Sequence, residues 1–142
     1  MSKERKYFLS TPQLIDRLCI VTLKSIKIPD NKDNYEKEAD EIMHDLDLLL
    51  GEKQGMFIRA VLVNAIVNET IWSNESAARN GGSDQDTRLK FTHSLNAVRN
   101  LSTNVMASLF DGRKDLKLDY MNPKLTKDFG YDFEGVLECR EP

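Results

Sequence analysis

Apolar positions recur at helical spacing along most of this chain and at strand spacing almost nowhere. In TPQLIDRLCIVTLKSIKI, residues Leu14, Ile15, Leu18, Cys19 and Ile26 fall in one broad arc at about 100° per residue, predicting a first helix from about residue 11 to Ile28. Ser10 or Thr11 can cap it, Pro12 sits in the first turn where its missing N–H costs nothing, and Asp16 suits the helix start. Arg17 and Lys24 share a different line, where surface placement is expected, and Pro29-Asp30 ends the helix. A second helix is expected from about Asp33 to Leu50, with Ile42, Leu46 and Leu49 on its core face and Gly51 as the stop. Its acidic residues, including Asp40, Asp45 and Asp47, fall on the opposite, solvated face. A third helix, residues 54–79, is apolar nearly all round in its first half, the mark of a central helix covered on several sides.

Gly81-Gly82 breaks the pattern, and Ser83, Asp84 or Asp86 can cap a fourth helix of about residues 86–110. Its core stripe is Phe91, Leu95, Val98, Val105 and Leu109, and Asp111-Gly112 stops it. Residues 111–142 carry no sustained period, and Leu118, Tyr120, Phe129, Tyr131 and Phe133 suit a strap packed on the helices. The expectation is an all-α antiparallel bundle of four helices with an irregular C-terminal strap. Residues 1–142 form a single domain, 1–110 the bundle and 111–142 the strap.

Composition narrows the class. A chain of 142 residues can bury a core without staples, and 40% hydrophobic with 30% charged residues is ordinary for a globular protein. A net charge of −3 implies no general nucleic-acid-binding surface. Cys19 and Cys139 have no CxxC or Cys/His spacing, which argues for a reducing compartment and against zinc. MSKERKYFLS lacks a long apolar core, and no stretch reaches the ~20 apolar residues of a membrane span, so a cytoplasmic protein is expected.

The chemistry concentrates on the third helix. Val61, Asn64, Asn68, Trp72, Glu75 and Arg79 lie within roughly 60° of one line, so an apolar helix turns polar on what should be its buried face. Three readings follow. An internal network would pair Glu75 with Arg79 and bond the asparagines to neighbouring helices. A half-buried pocket would offer the Trp72 ring for stacking and the Asn, Glu and Arg groups to a polar ligand. A purely exposed helix end is the third. The loop Arg79-Asn80-Gly81-Gly82-Ser83 leads into a helix N-terminus, which favours an anion, although it matches neither the Walker pattern nor GxGxxG. Arg88 and Arg99 share one side of the fourth helix, flanked by Thr92 and Thr103, and suit a phosphate or carboxylate unless they pair with the acidic face of the second helix. Asn96, Asn100 and Asn104 form an amide ladder expected on a solvated face or at a polar subunit contact.

Catalytic templates fit poorly. Glu38-x-x-Glu41 resembles half of the magnesium motif of all-α nucleotide pyrophosphohydrolases, but the second pair is missing: Trp72 stands three after Glu69 and Ala78 three after Glu75. His44 and His93 have no spacing that announces a triad. Arg17, Arg79, Arg88, Arg99 and Glu75 could serve a chorismate-mutase-like dianion site, yet their spacing matches no such pattern. No cofactor or metal is expected.

With these residues in view, TPQLIDRLCIVTLKSIKI and NETIWSNESAAR resemble a loose group of small helical proteins, several from tailed phages of the T-even type. In that group a Thr-Pro-x-x-Leu-Ile-Asp helix precedes one carrying Asn, Ile-Trp and Glu. The resemblance spans the four helices and carries over Leu14, Ile15 and Asp16 as a packing and capping element, and Asn68, Trp72 and Glu75 as the polar stripe. It implies similarity to phage sponges, nonenzymatic homo-oligomers that sequester cyclic-nucleotide or ADP-ribose-type immune messengers in the host cytoplasm. The expected ligand-binding set is Asn64, Asn68, Trp72, Glu75, Arg79, Gly81, Gly82, Ser83, Arg88 and Arg99. The alternatives are a helical interaction or adaptor protein without a small-molecule ligand, and a small enzyme acting on an anionic metabolite.

Overall fold

Ser10 opens the first helix, α1 (Thr11–Lys27), through a capping box: its Oγ accepts the Gln13 N–H, while the Gln13 side chain accepts the Ser10 N–H. The structure, a computed structural model, describes residues 3–79 and 85–110, the side chains of residues 78, 85–89 and 110 excepted. The expected Gly81-Gly82-Ser83 loop and the strap of residues 111–142 lie outside the described residues. Leu14, Leu18, Val21, Thr22, Ser25 and Ile26 form the buried side of α1. Cys19, expected in the apolar arc, is exposed because that buried line runs one turn-step to its side, through Val21, Thr22 and Ser25.

A short 3-10 turn (Pro29–Asn31) reverses the chain into α2 (Lys32–Leu50), whose buried residues are Ala39, Ile42, Met43, Asp45 and Leu46. Leu49 is a correction to the expected core face: with Leu48 and Leu50 it remains exposed at the end of α2. Gly51 closes the helix at φ +117°, a conformation that L side chains rarely adopt. The second turn of the bundle is then set by a backbone-to-backbone approach. A Cβ on Gly55 would lie 2.5 Å from the Met43 carbonyl oxygen and 2.7 Å from its Cα, so α2 and α3 meet where only glycine fits. The Asp47 carboxylate accepts the Gly55 N–H at 2.7 Å and ties the start of α3 to the helix before it.

The third helix, α3 (Gln54–Arg79), packs against α1, α2 and α4, as its apolar first half predicts. The fourth, α4 (Gln85–Phe110), returns antiparallel along α3 and brings no Cα within 8 Å of α1 or α2 among the described residues. Phe91, Leu95, Val98 and Leu109 of the predicted stripe are buried, and Val105 packs at its margin. Thr92, Ser94, Ala97, Ser102 and Asn104 of α4 are buried as well. Side-chain hydrogen bonds cross the α3–α4 seam, among them Asn64 Nδ2 to Ser102 Oγ at 3.0 Å and Asn74 Nδ2 to Thr92 Oγ1 at 2.5 Å. The molecule is an all-α four-helix bundle, with no strand among the described residues.

Candidate recognition face on the third helix

Helix α3 is covered on the sides that carry Met56, Ala60, Val63, Val67, Thr70, Ile71 and Asn74. The side left open carries Val61, Ala65, Asn68, Trp72, Glu75 and Arg79, all exposed. Val61 is 43% exposed and Trp72 69%, a large indole left in water on the most apolar of the described helices. The expectation that this stripe lies on the buried face of α3 is therefore overturned. The first half of the helix is apolar in every direction, so the boundary between apolar and polar residues does not reveal which side is inward. The buried line does turn polar, but through Thr70 and Asn74 rather than through Asn68 and Glu75.

Asn64 stands at the margin of this face and links it to α4. Asn68 Nδ2 donates to Asn64 Oδ1 at 2.9 Å, Asn64 Nδ2 donates to Ser102 Oγ at 3.0 Å, and Ser102 Oγ donates to the Arg99 carbonyl at 2.7 Å. The chain of donors fixes the Asn64 amide and leaves the Asn68 carbonyl oxygen free of it. The internal-network reading thus holds for Asn64, which reaches α4, and for Asn68 only through Asn64. Arg99 is exposed on α4; Arg88 belongs to the same helix, and its side chain lies outside the described residues, as do Gly81, Gly82 and Ser83. Thr92 is buried against Asn74, whereas Thr103 is exposed. Asn104 is buried, so the ladder with Asn96 and Asn100 is not a solvated face along its length.

Two charged clusters escaped sequence reasoning. Asp45, expected among the solvated acids, is fully buried. Its carboxylate accepts the Lys6 N–H and the Tyr7 N–H, each at 2.7 Å, with Arg5 Nε at 3.9 Å. His44 adds a contact of 2.9 Å to the Glu4 carbonyl, so the segment before α1 is strapped along α2. Arg17 spends its charge locally, on Glu38 at 2.5 Å and over the Tyr7 ring at 5.5 Å, and the other half of the acidic pair, Glu41, lies near enough to act on Tyr7. Burial, reinforced by the negative charges of Glu41 and Glu38, pushes the Tyr7 hydroxyl above its ordinary pKa, Arg17 opposing them. The second cluster is Arg59, fully buried, whose Nη2 donates to both Glu36 oxygens at 2.7 and 2.8 Å. A lone arginine in the run GMFIRAVLV is the signal that could have found it, because a cation in an apolar helix demands an anion.

In chemical terms the open face of α3 offers an indole for stacking or burial, an amide, a carboxylate and a guanidinium, all on a rigid helix. No group of three or more His, Cys, Asp or Glu is placed to hold a metal ion among the described residues, and His44 and His93 sit on helices that do not approach one another. No described helix is long and apolar enough to cross a membrane. Comparison with known protein families, curated proteins and solved structures finds no match for this chain.

Proposed function

We propose that this protein works by binding rather than turnover, and that the open face of α3 docks onto a helical surface of another protein. The observation that supports this reading is Trp72, 69% exposed in the middle of a line of exposed residues. A Trp side chain presents roughly 150–250 Å² of surface, and Trp and Arg are the residues most enriched where binding energy concentrates. Val61 and Ala65 extend the apolar strip, and Asn68, Glu75 and Arg79 supply the polar rim that fixes register. A photo-crosslinking residue at Arg79 tests it against the same residue at Lys90, exposed on α4. The Arg79 position yields a discrete protein adduct that Trp72→Arg abolishes; equal adducts from both positions, or none, would contradict the proposal.

A second reading keeps the same face and changes the occupant to a nucleotide-derived anion of the immune-messenger class, sequestered in the cytoplasm of a phage-infected host. Trp72 favours it as a stacking seat, with Arg79 seven residues on for a phosphate and Asn68 four residues before for a base edge. Ligand sites bury roughly 70–90% of a small molecule, which one helix face does not do, so the Gly81-Gly82-Ser83 loop, Arg88 and Arg99 would have to close the seat. A thermal-shift panel of cyclic nucleotides and ADP-ribose isomers separates the two. A ligand at 100 times its Kd adds about 2.7 kcal/mol and raises the melting point. Recovery of that ligand unchanged favours sequestration, and its alteration would identify a small enzyme for anionic metabolites instead.

A further inference from the structure

We infer that the surface docking on α3 is α3 of a second copy of this chain, the two helices crossing antiparallel about a twofold axis between Ala65 and Asn68; the inference rests on the protein-docking reading above. Ile58, Val61, Ala65, Asn68, Trp72, Glu75 and Arg79 are spaced by alternating steps of three and four residues, the seam spacing of a coiled coil. Of these, Ile58 is half-buried against the core and the rest are exposed, so from Val61 to Arg79 no other described helix covers the seam.

The seam avoids like-charge contacts with itself in one direction only. A twofold contact requires that if one residue faces another, the second faces the first. With the axis between Ala65 and Asn68, Trp72 of one copy lies over Val61 of the other, Ala65 faces Asn68, Ile58 faces Glu75, and Arg79 faces Gln54. Flanking the seam, Glu69 comes beside Leu62. No like charges meet in this register, and the smallest seam residue sits at the crossing, where the helix axes come closest. A parallel pair would instead set Glu75 on Glu75, Arg79 on Arg79 and Trp72 on Trp72. Charge and volume together select the antiparallel form. Asn68 then acts as the polar seam residue that specifies register, its amide already oriented by Asn64.

Sedimentation equilibrium of the full chain over a wide concentration range provides the test. The wild type is expected to be a dimer, and Trp72→Arg to weaken it by about 30-fold or more, the loss usual for a central anchor. Because Trp72 is exposed in the single copy, the variant keeps its helical circular dichroism and melting behaviour. Register is read separately in a Cys19→Ser, Cys139→Ser background by mixing Gln54→Cys with Arg79→Cys protein and adding a short bismaleimide. Cross-links between the two variants support the antiparallel pair, and cross-links within each variant would overturn it. A wild type that remains monomeric at every concentration would also overturn it. If a monomer still gave Arg79 adducts to a different protein, the inference would fail while the docking reading stood.

Discussion

Asp45 shows how far the role of a single residue can depart from its sequence neighbourhood. In HDLDLLL it reads as one more acid on a charged helix, yet its carboxylate holds two backbone N–H groups 38 and 39 positions away. Hydrogen bonds to a charged group contribute ~1.5–3 kcal/mol. Asp45→Ala is therefore expected to lower the unfolding free energy by about 3 kcal/mol in urea titrations and to abolish hydrogen-exchange protection at Lys6 and Tyr7. Arg59 and Glu36 form the complementary case. Glu36→Gln takes an anion away from a buried guanidinium and should cost about 3 kcal/mol, whereas Glu36→Gln with Arg59→Met should recover most of that loss. Tyr7 gives a pH signature. Its folded pKa lies above the ordinary 10.0, so the folded chain keeps a proton that the unfolded chain gives up. The stabilisation is complete below pH 10 and is lost as pH rises through the folded value; Tyr7→Phe should flatten that alkaline decline in denaturation midpoints. None of these partnerships was legible from composition, because each joins positions on different elements.

Element boundaries were far more legible than element orientation. The ends of α1 and α2 and the start of α3 fall within a residue or two of expectation because their stops are local: the Ser10 box, Pro29 and Gly51. The rotational setting of α3 was not legible, since an all-apolar first half leaves its inward side undefined until Gly55, Arg59 and Asn74 meet their partners. That is why the stripe from Val61 to Arg79, expected on a buried face, stands on an open one. Gly55 is the element-scale test of this account. Gly55→Ala drives a methyl group into the Met43 backbone, forces α2 and α3 apart, and should destabilise by about 1–3 kcal/mol despite the better helix propensity of alanine.

At the scale of the whole molecule, the all-α bundle was readable from periodicity, and the sides on which its helices stay open were not. Helix α4 leans on α3 alone among the described helices, so α3 is both the spine of the fold and the element with an exposed aromatic seam. A bundle built this way uses the inner side of its central helix for packing and leaves the outer side open. Trp72 is the single tryptophan of the chain, so intrinsic fluorescence reports on that outer side without labelling. Acrylamide quenching across a dilution series is the most direct measurement. The account predicts a red-shifted, freely quenched indole at the lowest concentrations, giving way to a blue-shifted, protected one as copies pair. An indole equally quenched at every concentration would contradict it.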